Sequence, residues 1–122
     1  MSLFDLVGIP YDDKGDSPET GFRCYSLVRW VLNTELGMDL PEHAPQAPGW
    51  PQYVKVYRSP LPKLQKYDVI MFAEIIEDLV NHIGILITPT DFIHTSHIFG
   101  SVVCEPVDRY RDRIIAIGRP RT

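Results

Sequence analysis

The groups best suited to nucleophilic and proton-transfer chemistry near neutral pH in this 122-residue chain are two cysteines, Cys24 and Cys104, and four histidines, His43, His82, His94 and His97. Cys24 stands out by its place in the pattern. It follows a Gly-containing loop and opens an apolar stripe at Cys24, Leu27, Val28, Val31, Leu32 and Leu36, the i, i+3, i+4, i+7 spacing of an amphipathic helix. A cysteine attacks as its thiolate, and the partial positive charge of a helix N-terminus favours that anion. The same first turn offers backbone N–H groups to a developing oxyanion. The bland alternative is that a lone cysteine on an apolar stripe is a small buried hydrophobe.

Histidines shift that balance. His82 begins HIGILI, where His82, Gly84 and Leu86 share one face of a strand and Gly84 leaves room beside the imidazole, as a general base requires. His94 lies in DFIHTS, on the next β-like run. A three-residue connection of Thr88, Pro89 and Thr90 sets His94 opposite Gly84 and diagonal to His82, roughly 7–8 Å apart between backbones, so that His94 can orient the His82 ring. A four-residue connection turns His94 to the other face. His43 sits in a Pro-rich loop and His97 near a strand end, both with surface or core roles as the default. A Cys24–His82–His94–His97 metal site lacks the short C-x-x-C or H-x-x-x-H pairs that announce one, so no metal and no cofactor is expected.

These residues need elements to position them. Gly8 to Gly21 reads as loop, rich in Gly, Pro, Asp and Ser. The helix starts near Cys24, and Gly37 is placed to cap its end. Pro41 to Pro62 holds six of the eleven prolines and reads as irregular, with a short turn of helix around Tyr53 to Tyr57. Strands are expected at Val69–Ala73, Ile83–Ile87, Phe92–Thr95, Ser101–Cys104 and Ile114–Ile117. A helix followed by strands gives an α+β fold with a mainly antiparallel sheet, in a single domain over residues 1–122. With 44% hydrophobic residues the chain can build one core without metal or disulfides, and both cysteines are expected as thiols. A net charge of −4 gives no nucleic-acid footprint. The N-terminus has no signal-peptide pattern and no run spans a membrane, so synthesis as a soluble cytoplasmic protein is expected.

The order GIPY, GFRCYSLVRWVL, Leu40-Pro41, YDVIMF, NHIGILI and DFIHTS resembles the NlpC family of papain-like cysteine peptidases over nearly the whole chain. The resemblance implies a helix-borne nucleophile on an antiparallel sheet, with Cys24 as nucleophile, His82 as base and His94 as the third residue. It places Tyr11 beside the thiol and implies amide hydrolysis through an acyl-enzyme. The substrate it implies is a peptidoglycan stem peptide, often cut between D-glutamate and diaminopimelate.

Where the family usually reads Asp-Cys-Ser-Gly, this chain reads Arg23-Cys24-Tyr25-Ser26. Arg23 either holds a substrate carboxylate or lies solvated, and Tyr25, Trp30 and Trp50 either line a groove or fill the core. Of the usual Gly-Asp before the first strand only Asp68 is kept, as a turn or strand-start residue. Arg109, Arg111 and Arg113 read as a solvated face, and Cys104 as a buried thiol. The C-terminal text resembles phage tail-assembly peptidases, which implies tail proteins as partners and a virion tail as location. Two alternatives stand beside the peptidase: an amidase or acyltransferase with the same triad on another substrate, and an inert structural tail protein.

Overall fold

Helix formation starts where the apolar stripe places it. In the computed structural model, which describes residues 2–45, 49–72 and 82–121, α1 spans Cys24–Leu36 and buries Leu27, Val28, Val31 and Leu32. Gly37 ends it in the left-handed region at φ 65°, and its N–H donates to the Leu32 carbonyl. Residues with a Cβ adopt that conformation at a cost of about 1–2 kcal/mol. Ahead of the helix, β1 (Asp16–Ser17) and β2 (Gly21–Phe22) pair antiparallel, so the stretch expected to be loop carries a two-stranded clip.

Six further strands form one sheet: β3 (Val54–Tyr57), β4 (Val69–Phe72), β5 (His82–Leu86), β6 (Asp91–His94), β7 (Val103–Pro106) and β8 (Ile114–Pro120). They lie in the order β3-β8-β4-β5-β6-β7 with every neighbouring pair antiparallel. The α+β expectation therefore holds. Three local expectations need correction. Val54–Tyr57 is an edge strand, because Val54 turns inward while Lys55 faces solvent, and the helical turn is a 3-10 turn at Trp50–Gln52. Ser101 makes only an isolated bridge with Pro10, and the seventh strand begins two residues later, at Val103. The last strand runs on to Pro120 because β3 supplies partners for Gly118, Arg119 and Pro120. Ala73, expected at the end of β4, lies outside the described residues.

Alternation along β4 and β5 divides the core in two. Val69, Met71, Ile83 and Ile85 join Leu27, Val28, Val31 and Leu32 beneath α1. Ile70, Phe72 and Leu86 point to the other face and pack with Leu64, Phe92, Val107 and Ile117. A buried ion pair ties the sheet together: Arg119 of β8 donates from Nε and Nη2 to the two oxygens of the fully buried Asp68, at 2.9 and 2.8 Å. The second Asp68 oxygen also accepts from the Gln65 N–H, so this acid holds the turn into β4 as well as its arginine.

Candidate active site

Cys24 is the first residue of α1 and is half-buried, packed against the cluster beneath the helix. The chain ahead of it is locked in place. Ser26 Oγ accepts from the Arg23 N–H at 3.0 Å and donates to the Gly15 carbonyl at 2.7 Å, joining the helix start to the preceding loop. The Phe22 N–H donates to the Pro10 carbonyl and the Asp12 N–H to the Phe22 carbonyl, which seats Tyr11 alongside β2. The Tyr11 ring meets His97 edge-on with centroids 6.3 Å apart.

His82 is the first residue of β5, and α1 packs against β5 and β6. The ladder between these strands pairs Ile85 with Ile93 and Leu86 with Phe92, and the Ile87 N–H donates to the Asp91 carbonyl. This is the register of a three-residue connection over 88–90. His94 accordingly stands across from Gly84 and diagonal to His82, and His82 Nε2 lies 2.8 Å from His94 Nδ1. Gly84 has a strict reason to lack a side chain: a Cβ there would come within 2.8 Å of Phe92 Cδ2 and 3.2 Å of His94 Cβ. The space expected beside His82 is therefore filled by its partners.

Both imidazoles are enclosed, His82 at 4% and His94 at 1% exposure. Phe72 contacts both rings edge-on, Phe92 stacks on His94 at 4.6 Å, and Phe99 and Tyr110 meet the His94 ring edge-on. Burial disfavours the cation, and His94 adds to the effect, so the His82 pKa is pushed down to about 4. Burial also lowers His94, although a carboxylate at its far side opposes the shift.

That carboxylate belongs to Glu105, which sequence reasoning did not single out. Its Oε2 lies 2.6 Å from His94 Nε2 and accepts from the Tyr110 hydroxyl at 2.6 Å, while Oε1 accepts from Arg109 at 3.0 Å. Burial alone would raise the Glu105 pKa; the donors from Tyr110, His94 and Arg109 outweigh it and hold the acid below its ordinary value. The signal that could have found it is the β6–β7 register, in which Phe92 pairs with Glu105 and His94 with Val103, diagonal to Glu105 on the same face.

Arg23 and Tyr25 flank the thiol in sequence and both grip the loop after the helix. Arg23 Nη2 donates to the Glu42 carbonyl at 2.9 Å, and the Tyr25 hydroxyl donates to the Pro41 carbonyl at 2.6 Å. Burial, eased by Arg29 and Arg23, raises the Tyr25 pKa to about 12, so this phenol is a permanent donor at working pH. Trp50 meets Tyr25 edge-on and Trp30 meets Phe22. Cys104 lies on β7, half-buried and not in a disulfide, with its thiol pKa raised by burial and by Asp91 and Glu105. His43 lies on the exposed part of the Pro-rich loop.

Known proteins resemble this chain in sequence and in fold. Over 90 residues, 74% of this chain, the sequence is 32% identical to gamma-DL-glutamyl hydrolase of Bacillus subtilis (strain 168); the chain spans 21% of that protein's length. Two solved structures share the fold. One is a lipoprotein-like NLP/P60 family protein of Staphylococcus aureus subsp. aureus Mu50, at a TM-score of 0.70 and 23% identity, with 98% of this chain and 39% of that one covered. The other is the NlpC/p60 domain of the peptidoglycan hydrolase SagA, at a TM-score of 0.68 and 19% identity, with 94% and 90% covered. The model of the NlpC/P60 family matches residues 8–117, and by that match this chain belongs to the NlpC/P60 family.

Proposed function

We propose that this protein is a cysteine peptidase that hydrolyses an amide bond in peptidoglycan stem peptides. The observation that carries the proposal is the buried His82–His94 hydrogen bond at the start of β5, on the strand against which the Cys24 helix packs. The pair has no folding purpose that apolar residues would not serve better, because two enclosed imidazoles forgo solvation.

In the proposed reaction Cys24 Sγ attacks the scissile carbonyl carbon as His82 takes the thiol proton. Nε2 of His82 is engaged by His94, so Nδ1 is the nitrogen that receives it. The oxyanion meets the amides of the first turn of α1, whose N–H groups have no intrahelical acceptors. Collapse of the tetrahedral adduct breaks the C–N bond, and the proton on His82 goes to the leaving amine. Water, deprotonated by His82, then attacks the thioester and returns the thiol with a free carboxylic acid.

The D-glutamyl–diaminopimelate linkage is the bond we assign. The name of the Bacillus subtilis relative, a gamma-DL-glutamyl hydrolase, supports a γ-glutamyl specificity. Tyr11, seated alongside β2, is proposed to contact the peptide. Arg23 and Tyr25 are proposed to act on it through the loop at 41–42 that they hold. Incubating the protein with the tripeptide L-alanyl-γ-D-glutamyl-meso-diaminopimelate tests the assignment by mass spectrometry. Release of diaminopimelate is expected; release of alanine alone, or no release beside active digestion of intact wall, overturns the bond assignment.

A further inference from the structure

Three donors converge on one carboxylate behind the histidine pair. Glu105 meets Tyr110 and His94 at Oε2 and Arg109 at Oε1, so both of its oxygens are engaged. Building on the reading of Cys24 and His82 as nucleophile and base, we propose that Glu105 is a positioning residue that dictates which nitrogen of each histidine carries the proton.

An ionised carboxylate accepts and cannot donate, so the 2.6 Å contact with His94 requires the proton on His94 Nε2. A neutral imidazole carries one proton, so His94 Nδ1 is then an acceptor. The 2.8 Å contact with His82 Nε2 must therefore be donated by His82. Neutral His82 is left with its lone pair on Nδ1, the tautomer that can take a proton from Cys24. Reversing the first bond reverses the whole chain and places a proton on the nitrogen that has to act as base.

The surroundings of both imidazoles favour the neutral rings. His94 is walled by Phe72, Phe92, Phe99 and the Tyr110 ring, and among the described residues the titratable groups that touch it are His82, Glu105 and Tyr110. Those facing Glu105 are His94, Tyr110, Arg109 and the adjacent Cys104 thiol. Tyr110 stays protonated, its pKa raised to about 12 by burial and by Glu105. Arg109 is mostly exposed, and holds the outer oxygen four residues along the chain.

Nitrogen-15 NMR of the imidazoles in the wild-type protein at pH 7 tests this without any substrate. Both His82 and His94 are expected as neutral rings with the proton on Nε2. A proton on His94 Nδ1 overturns the proposal. The isosteric variant Glu105→Gln presents an amide N–H₂ as well as a carbonyl, so a second His82 tautomer is expected. Cys24 alkylation and kcat on a stem peptide should then fall by on the order of 10²-fold with KM within a few-fold. Unchanged tautomers in E105Q overturn the proposal, whether or not kcat falls. The peptidase reading fails separately, if Cys24→Ala still cleaves; a cleaving wild type with an equally active E105Q removes the role of Glu105 alone.

Discussion

At the scale of single residues, a buried imidazole is a poor cation and a good neutral base. His82, pushed down to about 4 by burial and by His94, is neutral throughout the ordinary working range. A base must be unprotonated to act, so the acid limb of the kcat/KM–pH profile is set by His82 and falls near pH 4 rather than 6.5. Measured rates that halve near pH 6.5 contradict that. The two thiols provide an internal comparison, since both are half-buried but only Cys24 opens a helix, while Asp91 and Glu105 disfavour the Cys104 thiolate. Iodoacetamide at pH 7 should label Cys24 at least about tenfold faster than Cys104, and His82→Ala should erase most of the difference. Equal labelling of the two sites, read by peptide mass spectrometry, counts against an activated Cys24.

Between elements, the pair at the heart of the site depends on register. Thr88, Pro89 and Thr90 make the shortest connection that keeps His82 and His94 on one face, and the observed ladder is the one this length predicts. Gly84 guards that geometry. Gly84→Ala drives a methyl into Phe92 and His94, so a loss of about 1–3 kcal/mol in chemical denaturation is expected together with a fall in kcat. An active variant of wild-type stability would mean that the His94 position is not constrained from this side. The same elements show what a sequence can and cannot tell. The Cys24 stripe, the Gly37 cap and the β-branched runs around Val69, Ile83, Phe92 and Ile114 are local patterns, and each appears where its period places it. Val54–Tyr57 hides among prolines and aromatics, and only its pairing with β8 makes it a strand. Glu105 stayed hidden for a related reason: its role follows from the β6–β7 register across a long connection that no short turn fixes.

For the molecule as a whole, stability and chemistry draw on separate buried polar groups. The Asp68–Arg119 pair ties β8 to the turn before β4, and Asp68 is fully buried. Arg119→Ala strands that acid, so unfolding should become easier by about 3–5 kcal/mol; a change under 1 kcal/mol means that water replaces the arginine. The histidines instead make the fold acid-sensitive. A folded pKa below the unfolded value contributes stability above about 6.5 that is lost as pH falls towards 4, on the order of 3 kcal/mol for His82. The midpoint of thermal unfolding should therefore drop across that interval, and a flat response indicates that the rings are not enclosed. Among the described residues no helix is long and apolar enough to cross a membrane. Digestion of purified peptidoglycan sacculi by the wild-type chain and by Cys24→Ala bears most directly on the role of Cys24. New amino termini should appear with the wild type and be absent with the variant; equal release by both proteins, or release by neither, contradicts Cys24 as the nucleophile of a wall peptidase.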